Sequence, residues 1–285
     1  MKFTFKTRPL PYYLALTLRI GLLYTVLYIL LVLLLAPLGE TALGILSSLV
    51  PVLVGGAAFY FALLAWRVSH PSQKRAWQWL MVGIAMWWVA EVIWAIAMHW
   101  DIRDILAWLA DFCWMGGYLP IGLSCIFFLR ANRFELTPFK EVVAVVGGGL
   151  LPMLVFVGFV YPCSGAARFE LPVHLVWSAL YPAFDILIAT GGLLCLMVSG
   201  PKPWRRPWFL IGAALVTFAY TDLWYWLLEF FGINEVSAAS IVRVDIPYGL
   251  AYVILAVGCC QVVADERAAK TRPVSDLRRP PNLNP

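Results

Sequence analysis

Long apolar segments divided by short polar loops are the feature that most constrains how this chain folds. Eight such segments follow one another, each with about twenty or more mostly apolar residues, which is enough to cross a hydrocarbon layer of about 30 Å. Lipid offers the backbone no hydrogen-bonding partner, so segments of this kind cross it as helices. The sequence therefore predicts an all-α integral membrane protein with eight transmembrane helices. The approximate spans are 12–36, 43–66, 77–99, 106–130, 142–162, 174–199, 207–230 and 243–264.

Basic residues fall on alternate loops. Of the 21 lysines and arginines, 17 lie in the N-terminal segment, in every second loop and in the C-terminal tail. Only Arg103, Arg168 and Arg243 lie in the remaining loops, and Arg19 lies within the first span. Loops rich in Lys and Arg stay on the cytoplasmic side of the membrane. The pattern therefore predicts that both termini are cytoplasmic.

The composition excludes several classes of protein. The chain is 62% hydrophobic and 13% charged, whereas a soluble domain carries about 25% charged residues. The net charge of +5 does not indicate nucleic-acid binding, because the cations are spread over loops that would face the anionic lipid of the membrane. The first expected partner is the lipid bilayer, and no nucleic acid is expected.

Short motifs recur along the chain at offsets of 130 to 134 residues. They predict a parallel 4+4 repeat, in which residues 1–135 and 136–265 form two four-helix units of the same orientation. Residues 266–285, which are polar and rich in Pro and Arg, are expected to form a disordered cytoplasmic tail. The matched pairs are Val68-Ser69-His70-Pro71 with Val198-Ser199-Gly200-Pro201, Pro51 with Pro182, Glu91-x-x-Trp94 with Asp222-x-x-Tyr225, and Asp111-x-x-Trp114-x-x-x-Tyr118 with Asp245-x-x-Tyr248-x-x-x-Tyr252.

Five of the acidic residues within the predicted spans are of interest, namely Glu91, Asp111, Asp185, Asp222 and Asp245. An ionisable residue inside a membrane is costly and is therefore a candidate for function. Helical spacing places most of these acids beside aromatic residues on the same helix face. We expect these faces to line a ligand-binding pocket that opens outward between the two units. The candidate ligand-binding residues are Glu91, Trp94, Asp111, Trp114, Tyr118, Asp185, Asp222, Tyr225, Asp245, Tyr248 and Tyr252.

The same acids have other interpretations. They could clasp neighbouring helices by hydrogen bonds, or form an ion or proton relay. Arg19 is the only basic residue expected at depth, and its estimated depth suggests a structural ion pair with Asp185. The histidines do not have the spacing of a metal site, no set of catalytic residues is recognisable, and no cofactor can be assigned. An enzyme is therefore not expected.

The motifs around these acids resemble a known bacterial membrane module. They are similar to the multi-helix sensory region that precedes GGDEF and EAL domains in cyclic-di-GMP proteins and that precedes some histidine kinases. The resemblance covers roughly residues 43–262, and it implies signal perception in the bacterial cytoplasmic (inner) membrane. About twenty residues follow the last span, so an output domain is not expected here. The residues that carry it are Glu91-x-x-Trp94, Leu109-Ala110-Asp111-Phe112-Cys113-Trp114 with Gly117-Tyr118, Tyr181-Pro182-x-x-Asp185, and Asp222-x-x-Tyr225 with Asp245 and Tyr252.

The function expected from the sequence is sensing of a small or lipophilic ligand through the acid–aromatic pocket. The partner that reads the signal would be a cytoplasmic signalling protein or another membrane subunit. A small-molecule transporter would use a similar pocket between repeats. A structural or cofactor-holding membrane subunit is a further alternative.

Overall fold

The computed structural model describes residues 10–98, 103–132, 137–154, 173–199, 205–230 and 242–270. Within these ranges the chain is helical and contains no strand. The long helices are α1 (Leu10–Leu35), α2 (Glu40–Val68), α3 (Lys74–Ala97), α4 (Arg103–Ala131), α6 (Val173–Val198), α7 (Pro207–Phe230) and α8 (Asp245–Lys270). A short helix, α5 (Pro138–Val145), lies between α4 and α6. Single turns of 3-10 helix, Ala36–Leu38 and Pro71–Gln73, join α1 to α2 and α2 to α3.

Six of these helices are long and apolar enough to cross a membrane, namely α1, α2, α3, α4, α6 and α8. The chain is therefore a multi-pass helical membrane protein by length and composition. The predicted spans 106–130 and 207–230 coincide closely with helices α4 and α7, although α7 is not one of the six. The predicted fifth span, 142–162, lies partly outside the described residues.

The most extensive helix contacts are between α3 and α4 and between α6 and α7. Glycine permits both of them. A methyl group added at Gly83 of α3 would meet the side chain of Ile121 at 2.5 Å and the carbonyl oxygen of Gly117 at 3.0 Å. One added at Gly212 of α7 would meet the carbonyl oxygen of Gly192 at 2.4 Å. Membrane helices approach closely where such small residues face each other.

Helix α8 connects the early and late parts of the chain. It packs against α2, α7 and α1, while α4 packs against α6. The last helix therefore lies beside helices that precede position 70 in the sequence. About three-fifths of its most apolar segment is buried, the largest share among the six membrane-length helices.

Helix α1 has the opposite character. Only 17% of its most apolar segment is buried, and Leu18, Leu22 and Leu34 are between 67% and 73% exposed. Such a surface is costly in water and suitable for lipid. Most of α1 therefore offers an apolar surface to the bilayer, and its buried side contacts α8 and α2.

Proline residues lie inside three of the helices, namely Pro51 in α2, Pro120 in α4 and Pro182 in α6. Proline is tolerated in transmembrane helices because neighbouring helices and local backbone adjustments compensate for the missing N–H group. After α5 the backbone widens into a π-helical segment, Val146–Leu150. A methyl group added at Gly147 in this segment would overlap the side chain of Thr190 on α6, so a larger residue there would force Thr190 to move.

The basic ends of the helices are tied together by hydrogen bonds. Arg205, just before α7, donates from Nε to the side-chain oxygen of Asn132 at 2.7 Å and from its guanidinium to the Asn132 carbonyl oxygen at 3.2 Å. Lys74 donates to the backbone carbonyl oxygens of Trp66 and Arg67 at the end of α2.

The prediction of a disordered tail from residue 266 is wrong at its beginning, because α8 continues to Lys270. Residues 271–285 of that tail lie outside the described residues.

Candidate functional site

Glu91 is the centre of a buried polar cluster. Its carboxylate oxygen Oε1 accepts hydrogen bonds from the hydroxyl groups of Tyr248 at 2.6 Å and Tyr252 at 3.1 Å, and from the indole N–H of Trp114 at 3.3 Å. The glutamate is 4% exposed. Helices α3, α4 and α8 therefore meet at one oxygen atom. Three donors to one carboxylate compensate for part of the cost of burying it.

Asp185 of α6 lies in a second part of the same interior. It is 1% exposed, and its Oδ1 atom accepts a hydrogen bond of 2.5 Å from Tyr118 of α4. The carboxyl group of Asp222 on α7 lies near Asp185 and interacts with it electrostatically. Asp222 is also close enough to Glu91 to interact with its charge. The three carboxyl groups are therefore electrostatically coupled through Asp222.

Aromatic rings fill the space between these carboxylates. Trp87 packs edge-to-face against Tyr118 at 5.4 Å and against Phe218 at 5.1 Å between ring centroids. Phe218 in turn contacts Tyr252 at 4.7 Å and Tyr248 at 5.4 Å. Edge-to-face geometry is the favourable arrangement for such pairs. The rings hold the phenol groups in the positions from which they reach Glu91 and Asp185.

Asp111 marks the less buried edge of the cluster. Its carboxylate accepts a hydrogen bond of 2.7 Å from the hydroxyl group of Tyr181 on α6, and both residues are partly exposed. The Tyr181 hydroxyl also lies close enough to Asp185 and Asp222 to interact with their charges. Tyr181 therefore interacts both with the partly exposed Asp111 and with the buried Asp185.

Asp245 at the start of α8 has different partners. It accepts a hydrogen bond of 2.5 Å from Ser47 of α2 and a long one of 3.4 Å from Tyr28 of α1. It is one member of the predicted set that is held by α1 and α2 rather than by the central rings. It still interacts electrostatically with Glu91, so it lies beside the cluster.

The structure brings together most of the predicted residues. The two differences are the position of Tyr225 and the absence of the predicted ion pair between Arg19 and Asp185. Trp94 joins the cluster through the ring of Trp114, 5.8 Å away. Tyr225, in contrast, is 49% exposed, so it lies outside the buried group that contains its neighbour Asp222. The predicted ion pair between Arg19 and Asp185 does not form. Arg19 lies on the exposed face of α1, whereas Asp185 is buried and bonded to Tyr118.

Several functional candidates were not predicted. Tyr181 could have been found, because it precedes Asp185 in the Tyr-Pro-x-x-Asp motif. Nothing in the sequence marks Ser47 and Tyr28 as partners of Asp245, since serine and tyrosine are common within membrane helices. At the basic end of α8, Gln261 is 0% exposed and neither polar atom of its amide has a partner. The sequence could have indicated Gln261, because a glutamine within a predicted span is unusual.

The chemistry of the cluster is that of a hydrogen-bond acceptor with negative charge. Carboxylates bind donors and cations. Among the described residues, no group of three or more His, Cys, Asp or Glu side chains is placed to hold a metal ion. The described cysteines are all free thiols. The cluster therefore suits a ligand that donates hydrogen bonds, carries positive charge, or does both.

Comparisons of this chain with protein-family models, with curated proteins and with solved structures give no match.

Proposed function

We propose that this protein is a membrane sensor that binds a small ligand at the acid–aromatic cluster between its two repeat units. The observation that carries the proposal is the pattern of hydrogen bonds across residue 135. Glu91 and Asp111 of the first unit accept from tyrosines of the second unit, and Asp185 of the second unit accepts from Tyr118 of the first. The acceptors and donors are exchanged between the units rather than confined to one of them.

The packing supports the parallel 4+4 repeat of eight spans that this proposal assumes. Asp111 at the start of α4 is bonded by α6, and Asp245 at the start of α8 is bonded by α2. Helices α4 and α8 are equivalent in the proposed repeat, as are α6 and α2. Each partner residue, Tyr181 or Ser47, lies within about one turn before an intrahelical proline. The two units thus contact each other in a related way.

The geometry suggests how binding is converted into a signal. A ligand that donates hydrogen bonds to Asp111 or Asp185 competes with the hydroxyl groups of Tyr181 and Tyr118. Each of those hydroxyl groups belongs to the other unit, so its displacement weakens the contact between units. A ligand shifts the protein between two conformations only by its difference in affinity for them. Replacement of bonds between the units by bonds to the ligand supplies such a difference.

The signal would leave the protein at its cytoplasmic end or through the lipid. With both termini cytoplasmic, the hydrogen bonds of Arg205 to Asn132 join α7 to the end of α4, and movement between the units changes this contact. A cytoplasmic signalling protein would read that end. Another membrane subunit would instead pack on the exposed leucines of α1. The proposed location is the bacterial inner membrane.

Native mass spectrometry of the purified protein tests the proposal. We expect the wild type to carry a small molecule, and we expect its occupancy to fall at least tenfold in Asp111→Asn and Asp185→Asn. We expect no fall in Tyr181→Phe, because loss of the competing hydroxyl group leaves Asp111 free for the ligand. The matched control is Tyr220→Phe, because Tyr220 is exposed on α7 and is 59% accessible. The same bound mass in all variants, or no bound mass in the wild type under conditions that keep lipids attached, would contradict ligand binding at this cluster.

A structural role is the second candidate. It is favoured by the three donors that converge on one oxygen of Glu91, an arrangement that holds three helices together without a ligand. The same variants separate the two roles. A purely structural cluster loses thermal stability in Tyr181→Phe, with no bound molecule to lose.

A further inference from the structure

One oxygen atom at the centre of the molecule lacks a donor. Asp185 accepts from Tyr118 through Oδ1, but its Oδ2 atom is buried and no hydrogen-bond donor reaches it. The residue as a whole is 1% exposed. A buried carboxylate oxygen is stable only if a hydrogen bond or an opposite charge compensates for its lost hydration.

The neighbouring polar groups are acids and phenols. The carboxyl group of Asp222 on α7 lies near that of Asp185 and interacts with it electrostatically, and Glu91 of α3 interacts with Asp222. The hydroxyl groups that face this pair are those of Tyr118 on α4, Tyr181 on α6, and Tyr248 and Tyr252 on α8. No lysine, arginine or histidine is among the groups that interact with the pair in the described part of the chain.

Two carboxyl groups attract each other only when one of them carries a proton, because an ionised carboxylate is an acceptor alone. Two ionised carboxylates in contact repel, and in such pairs one group retains its proton. Tyr118 occupies Oδ1 of Asp185, so the free Oδ2 atom is the acceptor that remains for an O–H group of Asp222.

We propose that Asp185 and Asp222 form a proton-binding site, in which one proton bridges the two carboxyl groups. Binding adds one proton from water to a pair of carboxylates and leaves a single negative charge. Raising the pH removes that proton, and the repulsion that follows acts between α6 and α7. The bound proton is independent of the proposed function, and its effect on ligand sensing rests on that function. A metal ion is disfavoured, since the described residues contain no suitable group of three ligands.

Infrared spectroscopy of the purified wild type, without added ligand, tests the site. A protonated carboxyl group absorbs at a carbonyl frequency distinct from that of carboxylate, and isotopic labelling of the aspartate carboxyl carbons separates it from Glu91. We expect one labelled acid band at neutral pH, and we expect its loss in both Asp185→Asn and Asp222→Asn. The control is Asp245→Asn, because Ser47 and Tyr28 already donate to that carboxylate. This control should keep the band.

The pH dependence of stability gives a second readout. The unfolding temperature of the wild type should fall as the pH rises through the range in which the acid band disappears. Asp222→Asn should show a smaller fall, because the asparagine N–H group donates to Asp185 without a titrating proton.

Three results would overturn the proposal: no acid band in the folded wild type, a band that survives in both Asp185→Asn and Asp222→Asn, or a band removed by sodium at constant pH, which would show a cation in place of the proton. None of these outcomes depends on whether a ligand is found by mass spectrometry.

Discussion

Glu91 shows at the residue scale why a carboxylate can be kept inside this bundle. Three donors from α4 and α8 share its Oε1 atom, and two of them come from residues more than 150 positions away. Such a side chain stabilises the fold through its partners, since each donor would otherwise be buried without an acceptor.

Replacing this acceptor should therefore be costly. For Glu91→Ala we expect the free energy of unfolding to fall by about 2–4 kcal/mol, because two tyrosines and one tryptophan lose their common acceptor. Thermal unfolding in detergent measures the change. Glu40→Ala, at the exposed start of α2, is the control and should lose less than about 1 kcal/mol. Equal losses in the two variants would show that the cluster adds nothing to stability.

A double-mutant cycle can isolate the bond between Tyr118 and Asp185. We expect a coupling of about 1–2 kcal/mol between Tyr118→Phe and Asp185→Asn, because the bond is short and buried. The comparison pair is Arg19→Ala with Asp185→Asn, whose effects should add within about 0.5 kcal/mol, since Arg19 faces away from the interior. A coupling in the second pair that equals the first would restore the ion pair predicted from the sequence.

The acids of the cluster and most of its rings could be found from the sequence, whereas the pairing between them could not. A carboxylate in an apolar segment is conspicuous, and the spacing of Asp111, Trp114 and Tyr118 showed that they share a helix face. Which hydroxyl reaches which carboxylate depends on rotation and packing of helices far apart in sequence. The Arg19 prediction failed for this reason, because similar depth in the membrane does not place two residues on facing surfaces.

At the scale of whole helices, glycine residues allow α6 and α7 to pack closely against each other. The carbonyl oxygen of Gly192 lies where a side chain at Gly212 would begin, so α6 and α7 approach each other through bare backbone. Hydropathy located both helices but did not indicate this contact. Apolar faces of membrane helices are chemically alike, and small residues distinguish them.

A single methyl group tests this contact. We expect Gly212→Ala to lower the free energy of unfolding by about 1–3 kcal/mol, because the new carbon atom would meet a backbone oxygen that cannot rotate away. Gly122→Ala in α4 is the matched control, since no atom lies within 4 Å of the added methyl group. We expect it to be neutral or to gain up to about 1 kcal/mol, as alanine favours a helix. Thermal unfolding of both variants would decide, and the reverse order would show that α6 and α7 do not approach this closely.

The basic clusters predict the orientation of the whole molecule. Thr41, in the first turn of α2, is expected outside, whereas Ser72, between α2 and α3 and beside Lys74 and Arg75, is expected in the cytoplasm. Both positions are exposed. In a chain without its native cysteines, a membrane-impermeant maleimide should label Thr41→Cys in intact cells and Ser72→Cys only after the cells are opened. Labelling of Ser72→Cys in intact cells would show the opposite orientation.

The sequence predicted the helical membrane class well, because long apolar segments have few other solutions in lipid. Its weakest region was the fifth span, where the Gly147–Gly149 run forms a π-helical segment against α6 and residues 155–172 lie outside the described part of the chain. The tail prediction failed at residues 266–270 because helical hydrogen bonding continues past the apolar segment into polar residues. The apolar composition of a segment indicates which residues suit lipid, but it does not indicate the last residue of the helix.

The bond between Glu91 and Tyr248 also has a consequence in time. These residues are 157 positions apart, so a ribosome adding about 5–20 residues per second delivers the tyrosine roughly 8–30 s after the glutamate. Throughout that interval α3 has been synthesised while α8 has not. During that time the Glu91 side chain lacks its donors on α8, and the translocon, water or another helix surrounds it instead. Arrival of the final helix is therefore the step that completes the interior, and synthesis order becomes part of how this protein assembles.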